Sequence, residues 1–280
     1  MQYIRILLVI AWGIVFTSAE HAPAQIPVER GLAGYWSFDR CDARDDSGNG
    51  HNGRLFDDVS CVEGMFGMAL AFDGDDDYVQ VSSFLTPPNA FTYALWFKPD
   101  RTLTADRLRQ DLLYGDVDNE RFRPHITFNF NEEGRITLLV RLDGENFDDV
   151  STTTRRWTAN TWYHLAFTWN GNRFRVYVNG EQERNVQHAG QSSSERGFLL
   201  GVRIRTRGPE FDFEGSLDEL AIYSRALSAE EVALLVMPEP PEPPEPPEPP
   251  EPPEPPEPPE PEPFNIFCFG PLAQFFDLCE

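Results

Sequence analysis

The stretch LAFDGDDDYVQV, Leu70 to Val81, sets four aspartates in five positions between two runs that alternate apolar and polar residues. Carboxylates at that density catalyse, hold a cation, or turn the chain. Glycosidic hydrolysis needs two carboxyl groups about 5–5.5 Å or about 6.5–9.5 Å apart, facing one bond. On a strand that means acids at alternate positions, because successive side chains leave opposite faces. The closest approach is EGSLDE, Glu214 to Glu219, and its Asp218 and Glu219 are adjacent, so they are expected to point apart. No catalytic pair is assigned, and the chain reads as non-enzymatic. Asp73-Gly74 is a turn dipeptide, and aspartates favour loops by accepting from nearby amides, which is the reading for Asp75, Asp76 and Asp77.

Histidine and arginine add less. His51, His125, His164 and His188 fall in turns and strands, and their spacing supports no Ser-His-Asp or Cys-His constellation. His164 sits on a strand pattern opposite its aromatic face, a structural position. Arg203, Arg205 and Arg207 alternate along an expected strand and so share a face. Two readings stay open for them: bidentate contacts to an acidic glycan, or a solvated face that balances acidic surroundings.

The elements that must position these groups are strands. WYHLAFTW alternates Tyr163, Leu165, Phe167 and Trp169; RFRVYVNG alternates Phe174, Val176 and Val178; RITLLVRL alternates Ile136, Leu138, Val140 and Leu142. Period-two alternation marks half-buried strands. Asn170-Gly171 and Asn179-Gly180 are hairpin signals, with Asp143-Gly144 a weaker one. Many short strands at regular spacing predict an all-β, antiparallel two-sheet sandwich. SAEEVALLV is the one helical pattern, with Ser228 and Glu231 spaced as a capping box. Trp36, Trp96, Trp162 and Trp169 lie in strand patterns and are expected mainly in the core.

Four segments divide the chain. Residues 1–24 carry Arg5, an apolar run and an Ala22-Pro23-Ala24 site, the pattern of a signal peptide cleaved before Gln25. The run is shorter than the roughly 20 apolar residues that span a bilayer, so the mature chain is expected to have no transmembrane span. Residues 25–237 form one domain of ordinary size. Residues 238–263 repeat Pro-Pro-Glu, which excludes helix and central strand. The repeat favours polyproline II, at about 3.1 Å per residue a linker on the order of 80 Å. Residues 264–280, FNIFCFGPLAQFFDLCE, are a short phenylalanine-rich tail expected to attach to a surface or partner, or else to collapse locally.

Export makes the cysteines legible. In an oxidising compartment the local pairings, Cys41–Cys61 and Cys268–Cys279, are the simplest of three connectivities, and the tight C-x-x-C pairs of a zinc site are missing. The net charge of −23, shared between the Pro/Glu segment and the rest, argues against nucleic acid as a partner. The expected location is secreted, periplasmic or cell-surface.

Five blocks, in order, carry a resemblance: GLAGYWSFDRCDARDDSGNGHNGRLF, GMALAFDGDDDYVQV, FTYALWFKP, WYHLAFTWNGNRFRVYVNGEQ and GSLDELAIYSRALSAEEVALL. The chain resembles laminin-G-like (LamG-like) domains of the concanavalin A-like lectin/glucanase superfamily over nearly all of Gly31 to Val236. The resemblance implies a jelly roll with a concave and a convex face, and a carbohydrate- or protein-binding module. It also implies a structural calcium held by Asp39, the loop around Asp46, and Asp218, and it places an aspartate at Asp73 that joins the metal candidates. Calcium suits such a set, since it takes six to eight oxygens from carboxylates and loop carbonyls. Hydrolases of the superfamily carry an E-x-D-x-x-E strand, which this chain lacks. The expected partner is a glycan or an extracellular or cell-surface protein. The alternatives are a glycoside hydrolase or polysaccharide lyase of the same superfold, and a structural cell-envelope protein. The two cysteines around SGNGHNG and the acidic proline tail depart from the family pattern.

Overall fold

A computed structural model describes residues 26–237 apart from 86, 106–109, 116–125, 143–145, 191–195, 206–207 and 211. The segment expected to be a signal peptide, Asp143-Gly144, Arg207, the Pro/Glu segment, and the tail with Cys268 and Cys279 lie outside the described residues.

Two antiparallel sheets carry the architecture. The first contains β1 (Leu32–Trp36), β3 (Ser60–Glu63), β4 (Met68–Asp73), β6 (Phe91–Pro99), β11 (Tyr163–Trp169), β12 (Arg173–Val178), β13 (Glu181–Gln187) and β17 (Glu214–Tyr223). Their order is β13-β12-β11-β6-β17-β4-β3, with β1 also paired to β17. The first and last strands of the domain therefore lie side by side. The second contains β2 (Arg54–Phe56), β5 (Tyr78–Leu85), β7 (Asp111–Tyr114), β8 (Ile126–Phe130), β9 (Ile136–Leu142), β10 (Asn146–Ser151) and β14 (Arg196–Leu200). Its order is β10-β9-β8-β7-β14-β5-β2. A separate hairpin pairs β15 (Arg203–Arg205) with β16 (Gly208–Glu210).

The alternation read from sequence does the sorting. Phe91, Tyr93, Leu95 and Phe97 of β6 enter one cluster with Leu165, Phe167 and Trp169 of β11 and with Ile136, Leu138 and Val140 from the opposing sheet. Trp36, Trp157 and Trp169 are fully buried there. Each large apolar side chain so buried contributes about 1.5–3 kcal/mol. The Asn179-Gly180 turn between β12 and β13 has both residues at positive φ, +50° and +79°, the conformation a two-residue hairpin requires.

On the outer side of the first sheet the small residues Ala94, Ala166 and Ala221 cluster with Val232 of the terminal helix α1 (Ala229–Leu234), with its C-cap Leu235 and with Val28. Ser228 caps the helix and closes the predicted box with Glu231. Arg225 grips Glu231 through two bonds of 2.7 Å and donates to the Arg30 carbonyl, so the helix is tied to the entering chain. Further along this face His164 is 2% exposed. Its ring stands edge-on to Trp96, and its Nδ1 has no hydrogen-bond partner. Burial holds its pKa down at about 3.

A histidine buried neutral must gain its proton in the unfolded chain first, so stability is whole above the unfolded pKa near 6.5 and is lost as pH falls towards 3. Unfolding free energies of the wild type and His164→Gln, measured at pH 7 and pH 5, should separate by about 2 kcal/mol more at pH 5, in favour of the variant. Asp218 and Glu219 are present in both proteins, so the comparison removes their titration. Parallel pH profiles would show that His164 takes up a proton in place.

Candidate functional site

The loop between β1 and β2 is wound around Asp45. Its Oδ1 accepts from the amides of Tyr35 (3.1 Å) and Ser47 (3.0 Å), and its Oδ2 from the amide of His51 (2.8 Å). Burial works against the charge, but the bonds from Ser47, His51 and Tyr35 outweigh it and hold the carboxyl below its ordinary range. Asp46 accepts from the Ser37 hydroxyl at 2.7 Å and pairs with Arg40. The Cys41–Cys61 disulfide, the local pairing expected, fastens this loop to β3 with its Cα atoms 5.4 Å apart.

Three of the four metal candidates, Asp39, Asp46 and Asp218, lie around one corner beside that loop without converging on one point. Asp39 Oδ1 accepts from the Met68 amide at 2.9 Å, and Asp218 Oδ2 accepts from the amides of Met65 (2.8 Å) and Phe66 (3.2 Å). The turn Gly64–Gly67 thus serves Asp218, and the first residue of β4 beside it serves Asp39. Asp46 acts on the same corner, since with Asp39 and Asp218 it raises the pKa of Glu219. Asp73 does not join them. It lies at the far end of β4 from Met68, about 16 Å away at 3.3 Å per residue.

Glu219 is the residue that strand alternation misses. A bulge interrupts the pairing of β17 with β6 between Asp218 and Ala221, and Glu219 takes φ +52°. The two acids therefore do not part to opposite faces as expected. Leu220 is in the core, Asp218 is fully buried, and Glu219 accepts from the Tyr35 hydroxyl. Burial lifts Asp218 to about 7 despite its two amides, with Asp39 adding to the rise. Burial likewise lifts Glu219 to about 8, against the Tyr35 bond and with Asp218, Asp39 and Asp46 adding to it. Asp218 Oδ1 and Glu219 Oε1 are buried without a partner. The donor set is all oxygen, as calcium prefers, yet among the described residues no three His, Cys, Asp or Glu side chains converge to hold a metal.

The second sheet presents a different surface. One register line crosses all seven strands outside the core: Arg54, Gln80, Leu199, Tyr114, Thr127, Leu139 and Asp149. At about 4.8 Å between strands it is about 29 Å long. A parallel line joins Asp111, Asn129, Thr137 and Ser151. Arg54 and Asp149 are exposed at its ends, while the middle is buried and β15 rests against β7. Gln110 Oε1, Thr127 Oγ1 and Asn129 Nδ2 are buried with no partner among the described residues. Arg203 and Arg205 share β15 as their spacing implied, but in the separate hairpin and not in a large sheet.

In the DGDDD stretch the buried member is Asp77, 3% exposed, whose Oδ2 accepts from the Asp73 amide at 3.1 Å. Asp73 Oδ1 in turn accepts from Asp75. Asp73, Asp75 and Asp76 are exposed. The stretch is a turn held by its own carboxylates.

Two stacked antiparallel sheets in this order form a jelly-roll sandwich. The chain belongs to the concanavalin A-like lectin/glucanases superfamily, whose laminin-G model matches residues 73–233. No curated protein matches it in sequence. Among solved structures it is similar to domain 4 of AbnA, a GH43 extracellular arabinanase from Geobacillus stearothermophilus, in complex with arabinotriose. That match has 24% identity and a TM-score of 0.59, and covers 74% of this chain and 98% of that one. The binding domain of Paraclostridial Mosquitocidal Protein 1 matches at 17% identity and TM-score 0.60, over 74% of this chain and 52% of that one. The binding domain of botulinum neurotoxin DC, in complex with rat synaptotagmin II, matches at 11% identity and TM-score 0.59, over 75% and 52%. The chain spans about half the length of the toxin domains it matches. Among the described residues no helix is long and apolar enough to cross a membrane.

The corner yields a direct test. A Cβ at Gly67, which has φ +54°, would stand 1.8 Å from Asp39 Oδ1. Gly67→Ala should cost about 1–3 kcal/mol in unfolding free energy, through strain and the displaced carboxylate. Gly48→Ala, also at positive φ but with nothing within 4 Å, should cost about 1 kcal/mol or less by chemical denaturation. Equal losses would detach Asp39 from the stability of the corner.

Proposed function

We propose that the chain is a secreted, non-catalytic recognition module that binds a glycan or an extracellular protein through the outer face of its second sheet. One observation carries this reading: a register line of mostly polar and aromatic side chains crosses that face, and Thr127 and Asn129, on it and on the line beside it, have hydrogen-bonding atoms without a partner among the described residues. Buried polar atoms are almost always paired, and the hydroxyls of a sugar or the edge of a peptide would pair these. The arabinotriose of the arabinanase domain and the synaptotagmin of the neurotoxin domain are ligands of both kinds on similar folds. Asp218 and Glu219 come together at the bulge, which favours the hydrolase alternative, but both carboxylates are already engaged, Asp218 by two backbone amides and Glu219 by the Tyr35 hydroxyl.

Calcium belongs to the same proposal as a stabiliser of the corner. Asp218 Oδ1 and Asp39 would hold it with loop carbonyls, and its charge would offset the crowding of carboxylates there.

The test is retention of the full chain on glycan arrays and on extracellular polymers, with calcium or with chelator. Binding is expected to at least one class of ligand and to fall about tenfold or more in Asn129→Leu, which removes a pairing group worth about 1–3 kcal/mol. Calcium should raise the melting temperature, by about 2–4 °C for each kcal/mol gained. Retention on nothing would sink the recognition reading. An unchanged melting temperature would remove calcium and leave recognition standing. Ligand turnover abolished by Asp218→Asn would establish the enzyme instead.

A further inference from the structure

The SGNGHNG loop between β1 and β2 carries Asn49-Gly50 and Asn52-Gly53, and two hairpin turns carry Asn170-Gly171 and Asn179-Gly180. Asparagine is a chemically labile side chain. It is most so before glycine, whose missing Cβ lets the backbone nitrogen approach the side-chain carbonyl. Three of the four pairs are held against that approach. Asn52 Oδ1 accepts from the Asp45 amide at 2.9 Å, and the Gly53 amide is committed to the Ala43 carbonyl at 2.7 Å. A Cβ on Gly53 would stand 3.0 Å from Ala43 and from Val81, so the backbone is packed there. Asn170 Oδ1 accepts from the amides of Asn172 (3.1 Å) and Arg173 (2.8 Å). Asn179 Oδ1 accepts from the His164 amide at 2.9 Å, within a turn whose two residues are both at positive φ. In all three the side-chain carbonyl is occupied, and the glycine is half-buried.

Asn49 differs on each count. Asn49 and Gly50 are both exposed, and a Cβ on Gly50 would meet nothing within 4 Å. Among the described residues neither Asn49 Oδ1 nor the Gly50 amide has a hydrogen-bond partner. Only Nδ2 is engaged, with the Ser47 hydroxyl at 3.1 Å and the carbonyls of Ala33 and Leu32 at 3.2 and 3.4 Å. Bonds of that length sit at or beyond the long end of the usual range. The two carbonyls lie where the pairing of β1 with β17 is irregular, between Leu32 and Gly34. The Asn49 amide therefore latches the loop to the start of β1 through weak bonds, while its carbonyl and the neighbouring nitrogen stay unoccupied.

We propose that Asn49 is a site of self-modification, a spontaneous deamidation that releases this latch. The Gly50 nitrogen attacks Asn49 Cγ; a C–N bond forms there, and the bond from Cγ to Nδ2 breaks. The Gly50 amide proton leaves with Nδ2 as ammonia. Water then opens the cyclic imide, at Cγ to give aspartate or at the main-chain carbonyl to give isoaspartate. One water enters, one ammonia leaves, and nothing is oxidised or reduced. The product carboxylate offers the carbonyls of Leu32 and Ala33 no donor and repels them, so the loop parts from β1. The site is apart from the outer face of the second sheet, and the fate of ligand binding there does not decide it.

The full chain, held in mildly alkaline buffer and then digested and mapped by mass spectrometry, gives the test. In the folded chain Asn49 should convert about tenfold faster than Asn52, Asn170 and Asn179, whereas in urea the four rates should converge. Gly50→Ala should slow conversion of Asn49 about tenfold and leave the other three unchanged. If that variant folds poorly, the comparison of folded and urea-treated wild type still decides the site. Asn49→Asp, which makes the product directly, should speed hydrogen exchange at the Ser47 and His51 amides about tenfold. Equal rates at the four asparagines of the folded chain, or another of them converting first, would overturn the site. So would an Asn49 that survives while the urea-treated chain converts fully. Unchanged exchange in Asn49→Asp would overturn the latch.

Discussion

The structure turns on one strand, β17, and on the break in its middle. It pairs with β6 along one edge and with β1 and β4 along the other, so the domain closes through it. A regular strand would send Glu219 into the core. The bulge puts Leu220 there instead and leaves Asp218 and Glu219 to be satisfied by neighbours: two amides of the Gly64–Gly67 turn for one, the Tyr35 hydroxyl for the other. Buried carboxylates without such partners would cost several kcal/mol each. The turn between β3 and β4 and the start of the domain are thus held to its end by charge management as much as by packing.

Around that corner the fixings are redundant. Asp45 organises the loop through backbone amides, Asp46 binds Ser37 and Arg40, and the disulfide binds the loop to β3. Bonds of this kind hold an irregular loop in one shape without regular secondary structure. The first sheet is then occupied on both faces, by the core on one side and by α1, the entering segment and this corner on the other. The surface proposed for recognition, the outer face of the second sheet, belongs to the other sheet.

The aspartate stretch shows how far spacing can be read. That it turns the chain follows from Asp-Gly chemistry and holds in the structure. Which aspartate is buried does not follow. Asp77, and not Asp73, bridges two turns, because Asp58 approaches it from the β2–β3 connection. In the same way Asp39, Asp46 and Asp218 come to one corner once β1 lies beside β17, while Asp73, also beside a turn, is carried to the other end of β4.

Alternation of side chains, hairpin residues and the capping box are local properties, and they sufficed for the all-β sandwich, for the Asn179-Gly180 hairpin, for α1 and for the near pairing Cys41–Cys61. The bulge at Glu219 and the complete line of side chains across seven strands depend on register between strands distant in sequence. A one-residue change of register exchanges the faces, and nothing within a single strand reports its partner's register. For that reason the sequence determined which residues are strand and which are turn, and only the folded chain decided which acids share a corner and which side chains share a face.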